Sequence, residues 1–231
     1  MGCATLLAAS AGAASFTFST APGATESGGN PVDASAVFMT SGSTLTITLT
    51  DLLANPKTVA QLISDLQFGV TIGDTASATQ TGTGIGNERT VNGNGTFSNG
   101  ATGVDAGWIL SKPSAHTLLL DVLSGPGHAG PSHLIIGPPG PGNVYGIANG
   151  SIAGNGPHNP FLADSATFTL TIPGMSTDTI INNVNFSFGT TAGDDVPGVP
   201  GSPPTIPDGG TTVMLLGGAL SGLALIRRKL S

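Results

Sequence analysis

The groups able to do chemistry are few and widely spaced. Four histidines stand at positions 116, 128, 133 and 158, and twelve carboxylates precede residue 206. There is one tryptophan (Trp108), one tyrosine (Tyr145) and one cysteine (Cys3). His128 and His133 flank Ala-Gly-Pro-Ser, and with Asp121 or Asp164 they offer ligands to a metal. Zinc asks for three or four ligands on a rigid frame, and a Gly-Pro loop is a poor frame. Solvated loop histidines are the expected reading. Asp194-Asp195 can attract Ca²⁺, yet further ligands at defined spacing are missing, so solvated linker charge is expected there. No Gly-x-Ser-x-Gly elbow and no Gly-x-x-x-x-Gly-Lys-Ser/Thr phosphate loop occurs. Two carboxylates suffice to cleave a glycoside, but nothing in the spacing selects a pair. Catalytic, cofactor-binding and metal residues are therefore left unassigned. Trp108 and Tyr145 together could form a sugar-stacking platform, against a core role that is preferred for Trp108. Asn94-Gly-Thr96, Asn149-Gly-Ser151 and Asn185-Phe-Ser187 fit the glycosylation sequon, as chance allows in a chain rich in Asn, Ser and Thr.

The C-terminal 26 residues are more specific. Ile206-Pro207-Asp208-Gly209-Gly210 precede an uncharged run over residues 211–226, and Arg227-Arg228-Lys229 follow. As a helix the run spans about 24 Å, short against a bilayer core of roughly 30 Å, but the basic side chains can snorkel to extend it. The positive-inside rule keeps them cytoplasmic and everything before residue 206 outside. The run is apolar nearly all round, unlike an amphipathic helix at a domain edge.

This three-part tail resembles the PEP-CTERM class of bacterial sorting signals, in its variant with a Val-Pro-Asp-Ser-Gly-type motif. The resemblance covers about a tenth of the chain, and Ile206 and Gly209 stand where that motif has Val and Ser. It implies processing near the motif by a membrane-embedded exosortase of cysteine-transpeptidase type. A Gram-positive sortase signal ranks second, because Leu-Pro-x-Thr-Gly needs Thr where Gly209 stands. The segment from His158-Asn159-Pro160-Phe161 through Asn185-Phe186-Ser187-Phe188-Gly189 also resembles the closing half of domains common among exosortase-dependent surface proteins.

The N-terminal end agrees. Residues 1–14 are small and apolar, and Ala11-Gly12-Ala13 fits a small-x-small cleavage site, with Ala11, Ala13 and Ala14 as the cleavage candidates of a secretory signal peptide. The expected basic n-region is missing, and the expectation is either an initiator upstream of Met1 or the loss of a few residues. Cys3, the sole cysteine, can form no internal disulfide, so the exported domain must hold by packing.

Composition bounds the domain between these ends. Charged residues are 8% of the chain, against roughly 25% in ordinary soluble proteins. Outside the tail the only cations are Lys57, Arg89 and Lys112, set against the twelve acids. Such a surface repels phosphate, which excludes nucleic acid as a partner. The remaining polarity comes from Thr, Ser, Asn and Gly.

Period-two alternation marks strands at residues 15–19, 34–40, 44–50, 107–110, 116–123, 166–172 and 180–188, with Ser41-Gly42-Ser43 turning a hairpin. Residues 58–65 are expected as a short helix and 66–72 as a strand. Residues 73–107 are read as turns and edge loops. The expected architecture is all-β: an antiparallel sandwich of ordinary or jelly-roll type over 15–189, with one short helix, a stiff Pro/Gly linker over 190–205 and a C-terminal hydrophobic helix. The expected function is an exported, non-enzymatic surface or matrix protein, with an exosortase-like enzyme, the membrane and extracellular polysaccharide as partners. A carbohydrate-binding module is the alternative. Unpaired strand edges make self-association a further expectation.

Overall fold

The computed structural model describes residues 13–176, 178–191 and 193–201. The strands are β1 (Ala14–Thr20), β2 (Ala34–Ser41), β3 (Thr44–Asp51), β4 (Ile63–Val70), β5 (Thr79–Gln80), β6 (Ile85–Val91) and β7 (Phe97–Asn99). They continue as β8 (Val104–Asp105), β9 (Ile109–Ser114), β10 (Thr117–Asp121), β11 (Ile135–Ile136), β12 (Phe161–Thr171), β13 (Ile181–Phe188) and β14 (Asp195–Pro200). Among the described residues there is no α-helix, and no helix long and apolar enough to cross a membrane.

The best-formed strands follow from simple alternation. In β3, Leu45, Ile47 and Leu49 face inward and are fully buried, while Thr44, Thr46, Thr48 and Thr50 face out. β-branched threonine favours the extended backbone while tolerating water. Gly42, with φ of +56°, makes the tight turn into β3 that a Cβ would strain. Inside, Phe38 meets Phe18 edge-on at 5.9 Å and Phe68 at 5.1 Å, and Trp108 tilts against Phe168 at 5.3 Å. Each such side chain contributes about 1.5–3 kcal/mol by leaving water.

The strands belong to one sheet that closes on itself, in contrast to the expected sandwich of two sheets. The ring runs β12–β3–β2–β1–β14–β13–β4–β11 and back to β12, an eight-stranded barrel. Two elements close it. Two-residue β11 bonds β12 in parallel and β4 antiparallel. β14 fills the space between β1 and β13. Outside the ring, β5, β6, β7 and β8 extend the sheet from β12, and β9 and β10 extend it from β4.

β14 corrects the expectation of a linker over 190–205. Pro197 and Pro200 argue against a strand because each lacks an N–H for the ladder. The strand accommodates them by splitting its pairing: residues 195–197 bond β13 and residues 198–200 bond β1, so each proline serves one ladder. The strands of the domain therefore run from Ala14 to Pro200.

The expected helix over 58–65 is also overturned. Only a 3₁₀ turn at Val59–Gln61 forms, and Ile63 is already in β4. Gln61 is spent on local backbone: its Oε1 accepts from the Lys57 and Thr58 amides at 2.7 and 3.1 Å, and its Nε2 donates to Pro31 O at 2.8 Å. Residues 73–107, read as loops, supply β5 to β8. The expected C-terminal hydrophobic helix lies outside the described residues.

Antiparallel pairing gives the barrel two distinct ends. One carries Ala14, Thr40, Leu45, Val70, Thr171 and Ile181; the other carries Thr20, Ala34, Asp51, Ile63 and Phe188. Truncation separates strand from linker. A chain ending at residue 205 is expected to melt cooperatively at the wild-type temperature, whereas one ending at 194 should lose near-UV circular dichroism and the cooperative transition. Equal melting of the two would remove β14 from the barrel.

Candidate functional site

A polar row crosses the outer face of the barrel near its second end. Asp121 on β10 lies directly opposite Asp65 on β4, Asp65 opposite Ser187 on β13, and Ser187 opposite Asp195 on β14. Directly opposed residues put their Cβ atoms about 4.5–5.5 Å apart. The inward neighbours Leu120, Leu66, Phe186 and Val196 form the matching apolar row. Together with Gln67, Ser111, Leu119, Ser124, His128 and Gly193, the three aspartates line a cavity of about 310 Å³.

Backbone and hydroxyl donors hold most of this row. The Asp121 carboxylate accepts from the amides of Leu123 (2.7 Å) and Ser124 (3.2 Å). Ser187 Oγ donates to Asp195. His128 stands over the row, with Nε2 3.9 Å from Asp121 and Nδ1 2.9 Å from Gly125 O. Asp65 is buried and faces the others. Burial pushes its carboxyl up to about 7; Ser187 works against the shift, while the charges of Asp195 and Asp121 add to it. Asp65 thus holds a proton near neutrality beside the carboxyl groups of Asp121 and Asp195.

A second polar group sits between β6, β12 and the loop after β11. Buried Arg89 donates from Nη1 to Tyr145 Oη at 2.9 Å and to Asp164 Oδ1 at 3.0 Å, and from Nε to Asn99 Oδ1 at 3.2 Å. Its guanidinium also lies 4.7 Å from the centre of the Phe97 ring. Burial opposes the charge of Arg89, but Tyr145 and Asp164 outweigh it and hold the group above its ordinary value. Burial likewise pushes the Tyr145 hydroxyl up to about 12, and that hydroxyl donates to Gly137 O at 2.7 Å. Asp51, at the end of β3, is buried and pushed well above the carboxylate range, first by burial and then by the charges of Asp33 and Asp164. Its Oδ1 accepts from the Leu53 amide, while Oδ2 has no partner among the described residues.

The structure does not bring the sequence candidates together into one site. Trp108 and Tyr145 are 0% and 1% exposed, so neither can stack on a sugar; both are core residues. Trp108 Nε1 donates to His133 O at 3.0 Å. His128 and His133 go separate ways, the second lying 3.5 Å from Glu88. Asp164 is taken by Arg89. Asp194 and Asp195 are not free linker charges: Asp194 accepts from the Ser27 amide and hydroxyl at 2.8 and 2.9 Å. No group of three His, Cys, Asp or Glu among the described residues is placed to hold a metal. Ala14 opens β1 and its amide donates to Thr40 Oγ1, while Ala11, the motif 206–210 and the basic residues 227–229 lie outside the described residues.

Comparison with protein families matches residues 206–230 to the VPDSG-CTERM motif. That segment is a C-terminal sorting signal of PEP-CTERM-like type, which marks an exported, surface-associated protein. No curated protein and no solved structure matches the chain.

The acid row makes a signed pH dependence. The folded carboxyl of Asp65 titrates at about 7, above an unfolded value of roughly 3.9, so its proton stabilises the fold fully below that lower value. This contribution is lost as pH rises from about 4 to about 7, and Asp51 acts in the same sense. Asp65→Asn is expected to flatten part of that slope and to be more stable than wild type at pH 8 by roughly 2–4 kcal/mol. Urea unfolding at pH 4, 6 and 8 reads it; a parallel fall in both proteins would contradict the assignment.

Proposed function

We propose that this chain is an exported, non-enzymatic surface barrel, processed at residues 206–210 by an exosortase-like enzyme and then released into, or joined to, extracellular material. The sorting signal over residues 206–230 carries the reading. Before processing, the run over 211–226 sits in the membrane with Arg227, Arg228 and Lys229 on the cytoplasmic side, and the barrel stands outside. A signal peptidase cut after Ala13 would leave Ala14 as the first residue, which is where β1 begins. The cut near the motif would fall beyond β14 and leave the barrel intact.

The non-enzymatic part is supported by how the polar groups are used. Arg89, Asp164, Asp121, Asp194 and Asp195 each spend their hydrogen bonds on other parts of the same domain. Pairing between copies would start at β7 and β9, the two ends of the strand order among the described residues. β7 is three residues long and β9 carries Lys112 and Pro113, features that blunt an edge.

The processing reading is tested by intact mass of tagged protein from cells with and without the exosortase. Loss of the tail from within 206–210 is expected only where the enzyme is present, and Pro207→Ala should prevent it. The same mass and location in both cells would end the reading.

One observation favours a second reading, association with a neutral glycan. The outer face of β12, β3, β2 and β1 has fifteen outward positions from Ser165 onward, and thirteen are Ser or Thr; the others are Val37 and Met39. Rows such as Thr167–Thr48–Val37–Thr17 repeat across strands about 4.8 Å apart. Methyls and hydroxyls without charge match the mixed character of neutral sugars. Retention on an insoluble neutral glucan is expected to fall about tenfold in Thr48→Glu/Thr167→Glu, a loss of roughly 1.4 kcal/mol. Absence of wild-type retention, or equal retention of the variant, would reject this reading.

A further inference from the structure

We infer that the barrel end bearing Ile72 and Ile180 seats on the lipid surface while the C-terminal signal is engaged. The inference rests on the membrane reading of that signal, and three independent observations carry it.

The first is where the chain leaves. β14 runs antiparallel to β1, with Pro200 opposite Phe18, and the Gly201 amide donates to Thr17 O at 2.7 Å. The chain is thus heading along β1 toward Ala14 and this end of the barrel. From Gly201 to Thr211, where the uncharged run starts, there are ten peptide links, which reach at most about 35 Å. Passing the rest of β1, from Thr17 to Ala14, uses about 10 Å of that. The barrel end is therefore tethered within about 25 Å of the apolar run, and the headgroup layer occupies part of that distance. The chain leaves the barrel pointing toward this end and away from the opposite one, which it reaches only by doubling back along β1.

The second observation is charge. Of the twelve acids before residue 206, nine stand toward the opposite end: Glu26, Asp33, Asp51, Asp65, Glu88, Asp121, Asp164, Asp194 and Asp195. Asp105 stands at mid-height opposite Ile85, and only Asp74 and Asp178 are near the tethered end, with Lys112 bonded to Ala76 O at 2.8 Å between the strands and the loop of Asp74. An anionic bilayer repels the acidic end over roughly a Debye length and leaves this one free to approach.

The third is exposed apolar surface. Ile180 and Ile72 are 53% and 39% exposed, and the Ile180 amide bonds Thr71 Oγ1 at 2.9 Å, which places the two side chains on one rim. Met39, 54% exposed, stands on the wall two residues before the end of β2. Interfacial binding of a folded protein combines such apolar contacts with a surface that does not repel the headgroups. Leu52 and Ile147 are also exposed, but at the acidic end, and so serve as the internal comparison.

The test uses the full chain in vesicles of phosphatidylethanolamine and phosphatidylglycerol. In a Cys3→Ser background, a single nitrobenzoxadiazole label is placed through Ile180→Cys, Ile72→Cys, Ile147→Cys or, in the tail, Gly217→Cys. Nitroxide-labelled lipids are the quencher. Quenching at 72 and 180 is expected to exceed that at 147 by about threefold, with the tail label quenched as well. A quenched tail label with 72, 147 and 180 alike would overturn the rim inference and leave the tail reading standing. An unquenched tail label would overturn the membrane reading, and the inference with it. All three barrel positions are exposed, so the labels test location without disturbing the core.

Discussion

The space between β1 and β13 must be filled by six residues that include two prolines and a glycine, and the barrel depends on that fit. Left empty, it would expose two strand edges and uncover the interior aromatics Phe18 and Phe186, whose strands β14 bridges. The chain has no alternative fastening. Its single cysteine has no second cysteine to pair with, and its few cations are too scarce for a network of ion pairs. Closure is therefore carried by backbone ladders and apolar burial, helped at one end by the Ser187–Asp195 and Ser27–Asp194 hydrogen bonds, with the parallel stitch of β11 on β12 as the other seal. Gly198 belongs to the same fit: a Cβ there would press on Phe186 and Val184 at about 3.0–3.2 Å.

Scarcity of cations also explains the unusual carboxylates. Ordinary surfaces neutralise acids with lysine and arginine; here Arg89 is committed to Asp164, and the remaining acids rely on amides and hydroxyls. Amide and hydroxyl donors lower a carboxyl pKa, but desolvation can exceed them, as it does over the amides at Asp51 and over the Ser187 hydroxyl at Asp65. The outer wall avoids the problem by being hydroxylated instead of charged. One consequence is a molecule with a neutral wall and an acidic end, which a uniform charge pattern of the same net value would not give.

Alternation made β3 and β12 readable, because a threonine at every second position leaves no other periodic account of residues 44–50 and 166–172. The same rule missed β6, where Asn87, Glu88 and Arg89 interrupt the apolar side, and β14, where proline pointed to a linker. The difference between sandwich and barrel lay in stitches of two or three residues, too short to carry a period. Trp108 was legible as core from its rarity in a β-rich chain, whereas Tyr145 was not, because its burial depends on Arg89, Phe97 and Gly137, all distant in sequence. The acid row was invisible for a related reason. Asp65, Asp121, Ser187 and Asp195 come from four strands, and only the register between those strands puts them side by side. The sorting signal, by contrast, is read from contiguous residues, and so it was legible without any fold.

The order of these parts along the chain has a physical consequence for export. β1 is the first strand to emerge outside and β14 the last, so β1 and β13 keep open edges until residues 195–200 have passed. On the reading proposed above, the uncharged run follows within eleven residues and enters the membrane almost as soon as the closing strand is delivered. The final closure, a contact between the two ends of the domain, then takes place beside the bilayer. A barrel closed by its C-terminal strand is thereby kept in an incomplete state until its address has arrived. On the same reading, a cut beyond β14 would leave that closure untouched, so the segment that serves as the route to the surface would be separable from the strands that close the barrel.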